Sequence, residues 1–155
     1  MYLILIALSA CFYRLGGASY SDFPKLPKWL VRSYTRDVGV TILTLLTLFV
    51  LGKWHWSLCP CAVLVWLALR TYHKWLNPFF HEPTTDAYWF NWFAHGLMIG
   101  LAFLPYAYFT NTWLMVILRA LLMGLFMAWW SDINDDVNWE EAGRGILIIG
   151  TLWLI

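Results

Sequence analysis

The residues from Trp113 to Ser131 read WLMVILRALLMGLFMAWWS. Its 19 residues include one charged side chain, Arg119. An α-helix rises about 1.5 Å per residue, so about 20 apolar residues span the hydrocarbon core of a bilayer. Strands of a membrane barrel would instead alternate polar and apolar residues, which this stretch does not do. It therefore predicts a transmembrane helix.

Further apolar runs surround this stretch: Met1–Tyr13, Val38–Trp54, Leu58–Leu69, Trp89–Phe109 and Gly143–Ile155. The chain has 155 residues, of which 61% are apolar and 12% charged. Soluble domains carry about 25% charged residues, so a soluble enzyme, a disordered chain and a basic nucleic-acid-binding domain are excluded. We predict an all-α polytopic transmembrane helical bundle, formed by a single domain of residues 1–155. Whether the short first and last runs span fully is left open.

Lysine and arginine residues are distributed unevenly among the predicted loops. If residues 14–37 face the cytoplasm, eight cations fall on that side and only Lys53 lies in the opposite loops. Positive residues concentrate in cytoplasmic loops. The distribution predicts six crossings, with both termini outside, which in a bacterial inner membrane means periplasmic.

The segment Pro24–Asp37 is predicted to form an amphipathic helix at the membrane surface. Lys28, Arg32 and Arg36 repeat at intervals of four residues, which places them on one helical face. Such a face favours the headgroups of anionic lipids. The alternative is that the segment only anchors the protein through its positive charge.

Two of the full-length runs are predicted to form a tight hairpin, because only Thr110-Asn111-Thr112 joins them. Small residues at Gly96 and Gly100, and at Ala120 and Gly124, would let the two backbones approach closely. Pro105 is expected to kink the first helix of the hairpin, because proline removes a backbone hydrogen bond.

Arg119 and His95 are the ionisable residues predicted to lie inside the membrane, where such groups are costly and mark candidate functional sites. Counted through the hairpin, Arg119 lies level with Phe103 and about 12 Å in depth from His95. The two side chains then need separate partners or a water-filled path. Arg119 could pair with helix-end carbonyls or a carboxylate, or it could line a passage or bind an anion. His95 could simply be a packed histidine.

Charged residues at the predicted cytoplasmic ends of the helices should converge in a polar basin. Its members are Arg14, Asp37, Asp132, Asp136, Glu140 and Arg144. Within it, Asn138 and Glu141 have the spacing of a helix-capping box, and Glu140 and Arg144 that of an i,i+4 ion pair.

Metal binding has little support from the sequence. Residues 132–141 resemble the start of an EF-hand loop, but Val137 replaces the turn glycine and Gly143 replaces the bidentate glutamate. A looser divalent site there, or one formed by His81, Glu82 and Asp86, is left open. We predict neither a metal site nor a cofactor.

Several short motifs together resemble small bacteriophage-encoded inner-membrane proteins. They are Arg14-Leu15-Gly16-Gly17, Trp92-x-x-His95-Gly96, Leu118-Arg119-Ala120 and Asp136-Val137-x-x-Glu140-Glu141-x-Gly143-Arg144-Gly145. The resemblance implies a phage or prophage origin and a location in the host inner membrane. It implies no activity and no catalytic residues.

Two classes of function follow. In the first, the protein is not an enzyme: it oligomerises and forms or regulates a membrane passage, or it acts as a structural protein through a membrane partner. In the second, it is a membrane-embedded enzyme acting on a lipid headgroup or phosphate at the cytoplasmic face. Asp132, Asp136 or Glu140 would then hold Mg²⁺ or act as a base, and Arg144 would bind phosphate. The expected partners are anionic lipids and further membrane protein, not nucleic acid.

Overall fold

The computed structural model of the chain describes residues 1–17, 25–72, 85–133 and 136–155. Within these ranges the secondary structure is helical and contains no strand. The helices are α1 (Tyr2–Gly17), α2 (Ser33–Val50), α3 (Leu58–Thr71), α4 (Thr85–Leu101), α5 (Leu104–Thr110), α6 (Trp113–Ile133), α7 (Val137–Gly150) and a final 3-10 helix (Leu152–Leu154). Each predicted apolar run falls on one or two of these helices, which confirms the all-α class.

In the part of the chain that the structure describes, three helical segments are long and apolar enough to cross a membrane: Ser33–Val50, Trp89–Thr110 and Trp113–Ile133. Two shorter apolar helices, Tyr2–Gly16 and Leu58–Thr71, accompany them. Because a bilayer leaves backbone groups without water to bond, internally bonded helices are the form such segments must take. The protein is therefore a polytopic helical membrane protein.

The predicted hairpin is the most closely packed part of the bundle, formed by α4 and α5 against α6. At Gly96 an added Cβ would lie 2.5 Å from the Met123 carbonyl oxygen, and at Gly100 it would overlap the backbone of Ala120. Only glycine allows this approach. Pro105 interrupts the hairpin's first helix as predicted: α4 ends at Leu101, and α5 begins three residues later with Pro105 in its first turn.

The other helices complete the bundle: α1 packs along both α2 and α7, and α3 packs against α2, α4 and α5. An added Cβ at Gly145 of α7 would lie 2.5 Å from the Ser9 carbonyl oxygen of α1, so the two backbones nearly touch there. Fully buried apolar side chains fill the middle of the bundle, among them Ile99, Met123 and Ile148. These side chains form a mainly apolar layer, and the polar side chains buried in the same bundle include Ser9 of α1 and Thr44 of α2.

The two ends of the bundle differ in character. The "polar end" holds the C-terminal ends of α1, α3 and α6, the starts of α2 and α7, and the part of α4 around Asn91 and His95. Side-chain contacts join these segments. The "terminal end" holds both chain termini and the turn after α2, because Tyr2 bonds the carbonyls of Ile149 and Gly150 and Lys53 bonds that of Trp153.

The predicted surface helix over Pro24–Asp37 is wrong at residues 25–32, whereas residues 33–37 are helical as the first part of α2. Residues 25–32 form turns and bends, and α2 begins at Ser33. Two local features explain this: Arg32 has an extended backbone with φ −148° and ψ 146°, and Pro27 has no N–H to donate. The Thr35 hydroxyl fixes the turn by donating to the Trp29 carbonyl at 2.6 Å.

Candidate functional site

Side chains from six helices meet at the polar end. They are ionisable, polar or aromatic, and they come from α1, α2, α4, α6 and α7 and from Arg70 and Tyr72 at the end of α3. We call them the polar cluster: Tyr13, Arg36, Asp37, Arg70, Tyr72, Asn91, Trp92, His95, Ser131, Glu140, Glu141 and Arg144. Most are buried, and Arg70, whose side chain is 36% exposed, is the most accessible of the charged members. Charged groups buried to this degree are stable only when paired and hydrogen-bonded.

Arg144 lies at the centre of the cluster and is 1% exposed. Its guanidinium donates to the Ser131 hydroxyl at 3.0 Å and to the Glu141 carboxylate at 3.1 Å, and it forms a close ion pair with Glu140. The same guanidinium lies over the Trp92 ring, where the face of the indole attracts a cation. Arg144 thereby joins α4, α6 and α7.

Local sequence explains how α7 presents these groups. Glu140 and Glu141 precede Arg144 by four and three residues, which is the spacing of neighbours on one helical face. Two carboxylates near the start of a helix also interact favourably with its dipole. The helix is capped by Asp136, whose carboxylate accepts a hydrogen bond from the backbone N–H of Asn138 at 2.8 Å. The prediction that Asn138 is the cap was therefore wrong by two residues.

A second charged group lies between α2 and α3. Arg36 Nε donates to Asp37 Oδ1 at 3.3 Å, and Arg70 lies 3.6 Å from Asp37 Oδ2. Asp37 is fully buried and Arg36 is 3% exposed. The prediction that Arg36 contacts lipid headgroups together with Lys28 and Arg32 is therefore corrected, because helix α2 turns Arg36 inward to its carboxylate.

His95 links the cluster to the first helix. The Tyr13 hydroxyl and His95 Nε2 are 2.5 Å apart in a hydrogen bond, and both residues are fully buried. The Tyr72 ring packs on the imidazole with their centroids 3.7 Å apart, and the Tyr72 hydroxyl accepts from the Asn91 amide at 2.9 Å. His95 is thus held by contacts from α1 and from the end of α3.

The charges of the polar cluster balance within the chain. Three arginines, Arg36, Arg70 and Arg144, accompany three carboxylates, Asp37, Glu140 and Glu141. Removal of one member of a buried pair leaves an uncompensated charge, which costs about 3–5 kcal/mol. The cluster therefore makes the packing of the helices depend on polar contacts as well as on apolar ones.

Arg119 lies at the other end of the bundle and is fully buried. It donates to the Ile148 carbonyl at 2.8 Å and to the Thr151 hydroxyl at 3.1 Å, and its guanidinium lies 4.9 Å from the centre of the Phe103 ring. Arg119 thus lies level with Phe103, as predicted. It also pairs with a carbonyl at a helix end, which was one of the alternatives predicted for it. A cation at the C-terminal end of α7 stabilises the helix dipole.

Lys53 provides a second cation at the terminal end. Its ammonium donates to the Trp153 carbonyl at 2.8 Å. Partial burial lowers the pKa of Lys53 from its usual value, because desolvation disfavours the charged form. Two cations from distant parts of the chain therefore bond carbonyl groups at the C-terminal end of the chain: Arg119 bonds that of Ile148 in the last turn of α7, and Lys53 bonds that of Trp153 after it.

The structure brings together some of the residues predicted for the polar basin and not others. Asp37, Glu140 and Arg144 belong to the polar cluster, and so does His95, which the sequence placed on its own. Asp132 and Asp136 are exposed, and Arg14 is half-buried on α1. Asp132 and Asp136 are therefore not part of a buried site.

Several members of the cluster were not predicted. Asn91 lies four residues before His95, and Glu141 lies three before Arg144, so helical spacing alone could have identified both. Tyr13 and Tyr72 reach the cluster only through contacts between helices far apart in sequence. Nothing local to those two residues marks them.

The arrangement gives little support to the alternative hypothesis of a membrane-embedded enzyme that acts on lipid headgroups or phosphate. Arg144 and Glu140 bind each other, and Asp136 caps a helix, so these three are already occupied. Within the described ranges, no group of three or more His, Cys, Asp or Glu side chains could hold a metal ion. His81 and Glu82, and the side chain of Asp86, lie outside the described part of the chain.

Comparison of the chain with protein-family models, with curated proteins and with solved structures finds no match.

Proposed function

We propose that this protein is a non-enzymatic membrane module that assembles with further copies of itself or with a membrane partner, and so forms or regulates a passage. We place it in a bacterial inner membrane, with a phage or prophage origin and with its polar end toward the cytoplasm. The polar cluster and the Arg119 site then act as internal supports that keep the helices in a fixed arrangement.

The observation that carries the proposal is that the buried cations are engaged inside the chain. Arg144 and Arg36 are paired with carboxylates at the polar end, and Arg119 is bonded to the end of α7 at the terminal end. The apolar layer containing Ile99 and Met123 separates these two sites. A passage for polar solutes is therefore better built between chains than through one.

The outer face of the bundle supplies the surface for such an assembly. Helix α6 exposes Leu114, Ile117, Leu121 and Leu125, which can contact either lipid or another helix. In a bilayer, helix association is driven by packing rather than by the hydrophobic effect. The balance between lipid and protein contacts is consequently set by how much protein the membrane contains.

The test is reconstitution into liposomes over a range of protein-to-lipid ratios. Single-molecule photobleaching of the dye-labelled full chain gives the number of copies per assembly, and release of an encapsulated dye gives the flux. We expect oligomers whose abundance and flux rise together, more steeply than in proportion to protein. A folded chain that stays monomeric and passes nothing at every ratio would overturn the proposal.

Arg119→Leu provides the comparison that locates a passage. Arg119 is bonded inside the chain, so a passage between copies should have the same ratio of anion to cation flux in this variant as in the natural chain. A change in this flux ratio, in a variant that still assembles, would point to a passage through each chain. The proposal predicts unchanged selectivity.

A further inference from the structure

An exposed basic surface lies where α2 begins and α3 ends. Its cations are Lys28 and Arg32 in the turns before α2, both exposed, and Arg70 in the last turn of α3. Arg70 donates to the Ser33 hydroxyl at 3.4 Å, which places its guanidinium beside the residue that follows Arg32. Residues 25–36 contain no carboxylate, and Asp37 is fully buried. Within residues 25–36, which the structure describes, the charged side chains of this surface are therefore all positive.

Two aromatic side chains flank these cations. Trp29 is 67% exposed and Tyr34 is 57% exposed. Tryptophan and tyrosine favour the boundary between headgroups and hydrocarbon, where an apolar ring and a polar tip are both accommodated. Ser33 starts one candidate membrane span and Thr71 ends a shorter apolar helix, so the surface lies at the depth of one leaflet's headgroups.

The turn segment holds its cations in place. Val31 is buried at 7% exposure, and the Leu30 amide donates to the Pro27 carbonyl at 2.9 Å. Together with the Thr35–Trp29 bond, these contacts fix the backbone that carries Lys28 and Arg32. Arg70 retains guanidinium donors beyond its two long contacts with Ser33 and Asp37, and such a fork matches a phosphate group.

We infer that Lys28, Arg32 and Arg70, with Trp29 and Tyr34, form a binding surface for the phosphate headgroup of an anionic phospholipid. The cations attract the phosphate, and the two rings contact the upper part of the acyl chains. This inference is independent of the proposed function, because it holds whether or not copies of the chain assemble.

Native mass spectrometry of the detergent-purified full chain tests the inference. The protein is mixed with equal amounts of dioleoylphosphatidylglycerol and dioleoylphosphatidylcholine, and the bound ratio is measured. We expect phosphatidylglycerol to be retained in excess. A basic residue near an anionic headgroup changes the association constant about fivefold, so Arg32→Gln should lower the ratio by up to that factor.

Lys53→Gln is the matched control, because it removes the same charge at the terminal end. Arg32 is exposed and its side chain does not cap α2, so Arg32→Gln should fold normally. Arg70→Gln should show the same loss of phosphatidylglycerol, with the Asp37 pair weakened as well. No lipid preference in the natural chain, an unchanged ratio in Arg32→Gln, or an equal loss in Lys53→Gln would overturn the inference.

Discussion

At the scale of the residue, Arg144 is the side chain on which the polar cluster depends most. Arg144→Leu would leave Glu140 and Glu141 buried without their counterion, although the leucine is apolar and fits a helix. An uncompensated buried charge costs about 3–5 kcal/mol. We therefore expect a loss of that size in the free energy of unfolding, measured by SDS titration in mixed micelles.

Two further variants make this prediction specific. Arg14→Leu removes an arginine that is half-buried on α1, and its effect should be well below that of Arg144→Leu. Adding Glu140→Gln and Glu141→Gln to Arg144→Leu replaces the two carboxylates that have lost their counterion with neutral amides. This should restore part of the free energy of unfolding. Equal effects of the two arginine variants would show that the ion pairs around Arg144 do not support the fold.

Single residues also show which contacts the sequence can predict. The level of Arg119 next to Phe103 follows from counting residues through a three-residue turn, because helix rise is constant. The inward direction of Arg36 was missed, since it depends on where α2 starts. Tyr13 was missed because its partner, His95, is 82 residues away.

At the scale of the element, the hairpin of α4, α5 and α6 depends on backbone contact at glycine. Gly100→Ala would place a Cβ against the backbone of Ala120, which cannot move without separating the helices. Overpacking of this kind costs about 1–3 kcal/mol. We expect Gly100→Ala to lower the unfolding free energy by that amount in the same SDS titration.

Gly150 provides the control for this substitution, because it is also helical. An added Cβ there would meet only Ile6 Cδ1, at 3.9 Å. Alanine is a better helix former than glycine, so Gly150→Ala should be neutral or stabilising by up to about 1 kcal/mol. If Gly100→Ala were equally well tolerated, the close packing of the hairpin would be wrong.

The elements were predicted most accurately where one strong local signal determines them. Long apolar runs gave the spanning helices, and Pro105 gave the break between α4 and α5. The turn segment at 25–32 was predicted as a helix because its cations have helical spacing. The spacing of the cations does not determine the backbone there. Pro27 and the extended backbone of Arg32 do, and the helix therefore begins only at Ser33.

At the scale of the whole molecule, the polar end and the terminal end differ in charge and in the way their charges are paired. The polar end brings together arginines and carboxylates from several helices, whereas the terminal end uses Arg119 and Lys53 to hold carbonyl groups. The sidedness of the cations was evident from the sequence. The pairing was not, because it depends on how the helices pack.

The chain crosses a membrane several times, with its polar end on one side. This topology can be tested by the accessibility of single cysteines to a membrane-impermeant maleimide, in a variant with Cys11, Cys59 and Cys61 replaced by alanine. Lys25→Cys and Asn138→Cys lie at the polar end and should be labelled from the same compartment, with Lys53→Cys labelled from the opposite one. Labelling of Lys25→Cys and Asn138→Cys from opposite compartments would contradict this membrane topology.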